Sequence, residues 1–379
     1  MKHRITALGL AAWAFSGGSG AQAQTVPPAS VALYGLIDTG VERITNVGAG
    51  GGSVTRMPGL SGSLPSRWGV RGSEDLGGGL RAVFNLEAGF SPDTGASNQG
   101  GRIFGRQSLV GLSGPWGTVS LGRQYTMLYW SVLDGDQLGP NNYGLGSLDS
   151  YIPNTRMDNS IVYRGSFGGL SVGAGYSLGR DTVNAGPSPS GTNCAGESAA
   201  DRNACRQWSA MVKYDTSAWG LALAADEFRG GTGAFAGLVR SDLKDRRATL
   251  NGYAKFGPVK LTAGLLRRDN GGAAPLSSTN GQGARSNLYW LGGAYSVTPA
   301  FTVDGQIQRL DFRQGGDNAT LTVVRGIYSL SRRTQLYAQL AHIRNGERLS
   351  FSVSSGQPGA NPAAGQSQNA VMLGMRHAF

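Results

Sequence analysis

The sequence predicts an all-β protein, a 16-stranded antiparallel transmembrane β-barrel, and three observations lead to this prediction. Segments of about ten residues alternate apolar and polar side chains, which is typical of strands with one apolar face. The connections between these segments are alternately short and long. After Phe15 the chain has no run of about 18 apolar residues, so it lacks the pattern of a membrane-spanning helix.

The start of the chain has the pattern of a secretory signal peptide. Residues 2–4 are basic, residues 5–15 form a short apolar stretch, and Ala21-Gln22-Ala23 fits the A-x-A cleavage pattern. We therefore expect residues 1–23 to be removed during export, and residues 24–379 to form one transmembrane barrel domain.

The first segment of the exported chain shows how the strands are recognised. Val31, Leu33 and Ile37 share one face, whereas Tyr34 and Asp38 share the other, so Asp38 is a candidate for the barrel lumen. The glycine-rich stretch from residue 48 to residue 62 is interpreted as a loop. Sixteen segments are predicted in this way, and they begin near Val31, Ser66, Leu80, Arg102, Thr118, Asp158, Leu170, Gln207, Leu221, Arg247, Val259, Ser286, Phe301, Ala319, Gln335 and Gln368.

The order of the connections favours an outer-membrane barrel over a soluble β-sandwich. Short turns such as 165–169 and 257–258 alternate with long polar stretches such as 179–206 and 269–285. Outer-membrane barrels have tight periplasmic turns at one end and long external loops at the other, whereas a sandwich has no reason to sort its loops. A barrel of this size leaves an aqueous channel unless a segment plugs it.

The charge of the chain indicates anionic partners. The sequence has 34 Lys and Arg against 23 Asp and Glu, a formal net charge of +11. Loss of Lys2 and Arg4 with the signal peptide leaves 32 against 23, or +9. We expect anionic solutes and lipopolysaccharide phosphates as partners. Nucleic acid is not expected, because the chain is exported and has no nucleic-acid-binding motif.

The two cysteines are expected to form a disulfide. Cys194 and Cys205 are separated by ten residues, and an exported chain reaches an oxidising compartment. A metal site is the alternative for this pair, and the absence of a nearby histidine in the sequence disfavours it.

The sequence does not predict an enzyme. After the signal peptide the only histidines are His342 and His377, and neither belongs to a Ser/His/Asp arrangement or a metal-spaced cluster. We therefore expect no catalytic residues, no metal site and no cofactor.

One stretch without a sustained period, residues 124–155, interrupts the series of strands. A loop of about thirty residues in a compact domain is usually functional. It carries Asp134 and Asp136, and the flanking segments carry Arg106, Arg123 and Arg156. Acidic groups on a loop opposite basic groups on a wall generate a transverse field across a pore. The alternative is an ordinary surface loop with solvated charges.

Four segments together resemble the Gram-negative general porins of the β-proteobacterial type. They are SVALYGLIDTGV, SRWGVRGSEDLGGGLRAVFNLEAGF, FGRQSLVGLSGPWGTVSLGRQYT and LGMRHAF. The resemblance covers the exported chain and implies a homotrimer of barrels in the outer membrane. It also implies that the third external loop, 124–155, folds into the lumen as a constriction, and that Phe379 serves the outer-membrane assembly machinery.

The resemblance also implies roles for individual residues. Arg67 and Arg106 match the basic side of the constriction, and Arg156 is a third member. Arg71 and Arg123 are further lumen candidates, although Arg123 shares the parity of the apolar Val119 and Leu121 unless the strand bends.

The acidic side of the constriction is expected from Asp134 and Asp136. The loop sequence VLDGDQLGPNN lacks the proline–glutamate segment of the enterobacterial porins, which leaves open which aspartate faces the pore. Asp149 and Asp158 remain further candidates.

The expected function is therefore a water-filled channel for passive diffusion of small hydrophilic solutes and ions. Three arginines opposite two aspartates favour anions over cations. The alternative is a substrate-specific outer-membrane channel, which needs aromatic or basic rails along its lumen. A surface adhesin would bind without conducting.

Overall fold

The computed structural model describes residues 29–60, 64–180, 194–272, 285–354 and 359–379. The expected signal peptide, residues 1–23, lies outside the described residues. The described residues form one antiparallel sheet of 17 strands. The strands are β1 (Ala29–Val47), β2 (Gly52–Arg56), β3 (Arg67–Gly77), β4 (Leu80–Gly89), β5 (Gln107–Gly114), β6 (Gly117–Tyr125), β7 (Arg156–Phe167), β8 (Leu170–Ser177), β9 (Gln207–Asp215), β10 (Trp219–Arg229), β11 (Lys244–Phe256), β12 (Val259–Asn270), β13 (Arg285–Ser296), β14 (Phe301–Phe312), β15 (Asn318–Ser329), β16 (Thr334–Asn345) and β17 (Gln368–Ala378).

The sheet closes on itself between its first and last strands. One end of β1 pairs with β3, and the other end pairs with β17 from Leu36 opposite Ala378 to Ile44 opposite Ala370. Phe379 continues the seam, because its backbone N–H donates to the Gly35 carbonyl at 3.0 Å. The predicted 16-stranded antiparallel barrel is therefore confirmed, with β2 as one additional strand.

The additional strand corrects the interpretation of residues 48–62 as a loop. Gly52–Arg56 pairs with the end of β1, and Arg56 donates a 2.7 Å hydrogen bond to the carboxylate of Glu42. The glycines around it hide the strand in the sequence, because only Val54 and Thr55 in this segment have a strong strand preference.

The fifth strand begins later than its pattern suggested. A strand was expected to start near Arg102, but β5 begins at Gln107. Residues before it lie in turns, and Gln99 and Gly101 have positive φ angles of 55° and 79°. The backbone is outside the sheet here, so the alternation of apolar and polar residues does not correspond to two faces of a strand.

The two faces of the barrel are inverted relative to a soluble protein. Apolar side chains point outward, and Leu33 and Leu373 are 65% and 63% exposed. Polar side chains such as Asp38 and Gln306 point inward and are buried. This arrangement matches an apolar band that contacts lipid around a polar lumen.

The expected loop at 124–155 fills part of this lumen. The chain leaves β6 after Tyr125, and residues 126–155, here called the inner loop, lie inside the barrel before β7 begins. The loop starts with the short helix α1 (Met127–Val132), which Thr126 caps by accepting a hydrogen bond from the Tyr129 N–H. In the described part of the chain, no helix is both long and apolar enough to cross a membrane.

Candidate functional site

Four arginines converge where the inner loop meets strands β3 to β7. We call Arg67, Arg106, Arg123 and Arg156 the arginine cluster. Arg106 forms an ion pair of 2.7 Å with Glu87 on β4, and Arg67 approaches the same carboxylate at 3.5 Å. The structure therefore brings Arg67, Arg106 and Arg156, which were predicted from the sequence, to one wall of the lumen.

Tyr125, the last residue of β6, joins two of these arginines. Its hydroxyl oxygen accepts hydrogen bonds from Arg106 at 2.6 Å and from Arg156 at 2.9 Å. Its ring stacks on Tyr129 of the inner loop with 3.9 Å between ring centroids. The Arg156 guanidinium lies 4.6 Å from the Tyr125 ring centroid, a cation–π contact. These contacts fix both guanidinium groups between the wall and the inner loop.

Arg123 turns away from the outer face because β6 bends. The pairing of β6 with β7 shifts between Gly122 and Gln124, so Arg123 lies in a bulge. Gly122 has a φ of 122°, and a Cβ atom there would lie 2.1 Å from the Ser108 carbonyl oxygen, so only glycine fits. The bulge turns Arg123 into an ion pair with Asp158 of β7. Because of this bulge, Arg123 does not follow the outward alternation of Val119 and Leu121.

The arginine cluster carries more positive than negative charge. Among the residues that the structure describes, the cluster forms ion pairs with Glu87 and Asp158, so four guanidinium groups against two carboxylates leave an excess of two positive charges. Arg67 has 20% of its side chain exposed, against 4% for Arg106. Arg67 is therefore exposed to lumen water, whereas the buried Arg106 affects passing ions only through its electric field.

Two further lumen candidates lie on neighbouring strands. The guanidinium carbon of Arg71 on β3 is 5.2 Å from the ring centroid of Tyr34, and the side chain faces inward. Asp38 is fully buried on the inner face of β1 and accepts hydrogen bonds from the Tyr337 hydroxyl at 2.8 Å and from the Leu64 N–H at 2.9 Å. Asp38 therefore holds the wall together beneath the lumen surface.

The two predicted loop aspartates contact other parts of the wall. Asp134 forms an ion pair with Lys213 on β9 and has 34% of its side chain exposed. Asp136 accepts a 3.0 Å hydrogen bond from the Gln306 amide on β14. Burial raises the pKa of Asp136 to about 6, although Gln306 and Arg325 oppose this rise. Within the part of the chain that the structure describes, neither aspartate forms an ion pair with the arginine cluster.

The acidic partners of the cluster were only partly visible in the sequence. Asp158 was a further candidate and pairs with Arg123, whereas Asp149 pairs with Arg247 at 3.3 Å in a buried position that anchors the inner loop. Glu87 was not singled out. The alternation of side chains along β4 predicts that Glu87 points inward. Its partner across the sheet is Gly69, which has no side chain, so Arg67 and Arg106 can reach the Glu87 carboxylate.

Hydrogen bonds to distant strands hold the inner loop against the wall. The Trp290 indole on β13 donates to the Gly135 carbonyl oxygen at 2.7 Å. The Tyr143 hydroxyl donates to Glu42 on β1 at 2.9 Å, and the Tyr151 hydroxyl donates to Asp226 on β10 at 2.5 Å. The loop therefore crosses the lumen and narrows it.

The two cysteines lie in an outer loop between β8 and β9. A disulfide joins Cys194 and Cys205, and their Cα atoms are 5.6 Å apart. The bridge packs against Gly231, where a Cβ atom would lie 2.9 Å from the Cys205 sulfur. The disulfide therefore packs this loop against the outer loop that follows β10.

A closed barrel with an apolar outer face, a polar lumen and a loop folded across it defines an outer-membrane diffusion channel. The chain belongs to the Gram-negative porin family, whose sequence profile matches residues 7–348. It is 32% identical to an outer membrane porin protein of Bordetella pertussis and 31% identical to outer membrane porin protein 32 of Delftia acidovorans, and each alignment covers 100% of both chains.

The fold is similar to that of a solved porin. The anion-selective porin from Comamonas acidovorans superposes with a TM-score of 0.72 at 27% identity, over 93% of this chain and 100% of that chain. The resemblance seen in the sequence is confirmed, and the chain is an outer-membrane β-barrel of the porin class.

Proposed function

We propose that this porin conducts small hydrophilic solutes and ions by passive diffusion and prefers anions. The observation that carries the proposal is the arginine cluster beside the inner loop, whose four guanidinium groups exceed by two the carboxylates paired with them in the described residues. An excess of one sign of charge in a narrow, low-dielectric passage raises the local concentration of counter-ions. The anion selectivity named for the similar Comamonas acidovorans porin supports the same direction.

The geometry supports a mechanism without covalent chemistry. Arg67 presents its guanidinium to lumen water, and Asp134 presents a partly exposed carboxylate on the inner loop. Charged groups of opposite sign orient water and dipolar solutes across the passage. We propose Arg67, Arg106 and Arg156 as the basic side of the constriction, and Asp134 and Asp136 as its acidic side.

Single-channel recording in a planar bilayer under a potassium chloride gradient tests the preference. The reversal potential of the parent channel is expected to lie closer to the equilibrium potential of chloride than to that of potassium. Arg67→Gln and Arg156→Gln should shift this potential toward potassium. Arg240→Gln is the matched control, because Arg240 lies on an outer loop with 69% of its side chain exposed. A parent channel that prefers potassium would overturn the proposal.

A substrate-specific channel is the alternative proposal for the same barrel. Such a channel binds its solute, so flux saturates as the solute concentration rises, whereas diffusion through a general porin stays linear. Liposome swelling with sugars, amino acids and dicarboxylates separates the two. Saturation with one solute class alone would identify a specific channel.

We further propose that the chain is a channel without enzymatic activity. Both histidines of the exported chain point outward from the barrel: His342 contacts Asn369 at 2.8 Å, and His377 contacts Thr334 at 2.9 Å. Neither faces the lumen where a solute passes. Folded protein that hydrolyses peptide or phospholipid substrates would contradict this proposal.

A homotrimer is proposed because part of the wall is too short for a lipid bilayer. Strand β5 has 8 residues, whereas β14 has 12. At about 3.4 Å per residue and a tilt of about 40°, 8 residues span roughly 21 Å, less than the apolar band of about 25 Å. Contact with a neighbouring barrel removes this mismatch. Native mass spectrometry of detergent-extracted protein tests the state, and a monomer would contradict it.

Lipopolysaccharide is the proposed lipid partner, and an outward-facing polar patch supports it. Arg309, Thr320 and Arg344 lie side by side on β14, β15 and β16, in register across the three strands. With His342 they line a surface cavity near the outer end of the barrel. Two arginines on the outer face near the external end of the barrel can form charge-assisted hydrogen bonds with lipid phosphates. Arg309→Gln with Arg344→Gln should reduce copurified lipopolysaccharide, and unchanged copurification would contradict the assignment.

A further inference from the structure

Three lysines gather inside the barrel, away from the arginine cluster. After residues 1–23 the sequence has four lysines, and Lys213, Lys255 and Lys260 lie on the inner faces of β9, β11 and β12. All three lie near the end of the barrel that carries the short turns, since Gly257 and Pro258 connect Lys255 to Lys260 through a tight hairpin. This end faces the periplasm in outer-membrane barrels. We call these three residues the lysine cluster.

Tyr253 organises the lysine cluster. Lys255 and Lys260 are direct partners across the β11–β12 pair, and their ammonium nitrogens lie 5.0 Å and 5.4 Å from the Tyr253 ring centroid. The Tyr253 hydroxyl donates to Asp215 at 3.1 Å, which fixes the ring. Gly220 leaves space for this ring, because a Cβ atom there would lie 2.5 Å from it. The two ammonium groups are therefore positioned on a rigid support.

The charges in this region are unevenly compensated. Lys213 is ion-paired with both Asp134 and Asp215. Lys255 and Lys260 have no carboxylate within 4.0 Å among the residues that the structure describes. Like charges directly opposite each other destabilise a strand pair. An arrangement that keeps two such groups together in a lumen is stabilised when an anion binds between them.

We propose that Lys255 and Lys260, supported by Tyr253, form a second anion-binding subsite at the short-turn end of the lumen, and that it takes small divalent oxyanions. Each ammonium offers three hydrogen-bond donors and no acceptor, which suits a tetrahedral oxyanion with several acceptor oxygens. Lys255 and Lys260 offer two ammonium groups to one anion, and the three lysines together with Asp134 and Asp215 keep a net charge of +1. The subsite deepens the proposed anion preference and rests on it.

The position of the subsite gives it a role in release. Asp134 connects the inner loop to Lys213 beside the subsite, so a solute that passes the inner loop meets these lysines next. A weak site at this point shortens the distance over which an anion crosses the lumen without a counter-charge. Conduction through several weak sites in series is faster than through one strong site.

Sulfate block of the chloride current tests the subsite. Sulfate is added to each side of a planar bilayer in turn while single-channel current is recorded. The subsite lies at the short-turn end of the lumen. Sulfate added on the side of this end is therefore expected to block the parent channel at about fivefold lower concentration than sulfate added on the other side. Lys255→Gln with Lys260→Gln should remove this difference and leave block from the weaker side unchanged.

Lys244→Gln is the matched control, because Lys244 lies at the opposite end of β11 and is paired with Glu227 at 3.0 Å. It should retain the side-dependent block. The reversal potential in potassium chloride, recorded on the same channels, separates the two proposals. A parent channel that prefers potassium overturns the proposed function. An anion-preferring parent with equal block from both sides, or a double variant that keeps the difference, overturns the lysine subsite alone.

Discussion

The indole nitrogen of Trp290 donates a 2.7 Å hydrogen bond to the carbonyl oxygen of Gly135, and this bond ties the inner loop to strand β13. Gly264 on the neighbouring strand lies opposite Trp290, and a Cβ atom there would lie 2.0 Å from the indole ring. The absence of a side chain at Gly264 therefore makes room for the Trp290 indole. The hydrogen bond to Gly135 fixes the segment of the loop that carries Asp134 and Asp136.

Trp290→Phe should loosen the inner loop while preserving the barrel. The variant keeps an aromatic ring at this position, but the buried carbonyl oxygen of Gly135 loses its hydrogen-bond donor. An unsatisfied buried acceptor lowers stability by about 1–3 kcal/mol. We expect higher open-channel current noise and an unchanged folded yield. Trp208→Phe is the control, since Trp208 points outward and is 40% exposed. Equal noise in the parent and Trp290→Phe channels would show that this bond does not restrain the loop.

Tyr125→Phe should destabilise the constriction. The change removes the oxygen that accepts from Arg106 and Arg156, so two buried guanidinium groups lose an acceptor. We expect the free energy of unfolding to fall by about 2–3 kcal/mol, measured by urea unfolding in detergent micelles.

Tyr163→Phe provides the comparison for Tyr125→Phe. The Tyr163 hydroxyl donates to the Trp116 carbonyl at 2.6 Å in an exposed position at the short-turn end. Its loss should change stability by no more than about 0.5 kcal/mol. If both variants unfold alike, Tyr125 does not hold the arginines through its hydroxyl.

Ion preference should depend on pH through Asp136. Burial raises the pKa of Asp136 from 3.8 to about 6, so the group is charged at neutral pH and neutral in mild acid. Because its folded-state pKa is raised, its contribution to stability is full below about pH 4 and is lost as pH rises through about 6. From about pH 7.5 to about pH 5 we therefore expect stronger anion preference, together with greater stability of the inner loop.

Asp136→Asn isolates this effect. The variant should show at neutral pH the anion preference that the parent reaches in acid, and its reversal potential should change little between the two conditions. Asp242→Asn, which alters an exposed ion pair with Arg240 on an outer loop, should keep the parental response. A full pH response in Asp136→Asn would assign the titration to another carboxyl group.

Gly122→Ala should disrupt the bulge that turns Arg123 inward. The new Cβ atom would meet the Ser108 carbonyl oxygen at 2.1 Å, and the φ of 122° is unfavourable for alanine. We expect a reduced folded yield, measured by heat-modifiable mobility on gels. Gly168→Ala is the control, because Gly168 also has a positive φ, of 61°, but lies in open space. Similar yields for the two variants would show that crowding at Gly122 is tolerated.

The strands were predictable because their signal is local. Period-two alternation and the sorted turns depend on neighbouring residues, so segments such as Gln207–Asp215 and Phe301–Phe312 were located from the sequence. The strand Gly52–Arg56 was missed because it has only five residues and directly follows a glycine-rich stretch.

The partners of the charged residues were not predictable in the same way. Arg67, Arg106 and Arg156 were found through resemblance, but the contacts of Asp134 with Lys213 and of Asp136 with Gln306 join positions far apart in the chain. Only the closed barrel brings these residues together. The bulge at Gly122 likewise depends on the crowding of Ser108 across the sheet, which no periodicity reports.

The seam between β1 and β17 has a consequence for biogenesis. Leu36 pairs with Ala378, so the contact that completes the sheet joins the first strand to be synthesised with the last. In a bilayer an unsealed sheet would expose backbone N–H and C=O groups to hydrocarbon, where each costs several kcal/mol. The other strands pair mainly with their neighbours in the chain, so this seam joins the residues that lie farthest apart in sequence. The sheet can therefore be sealed only after the whole chain has been synthesised and its two end strands have paired.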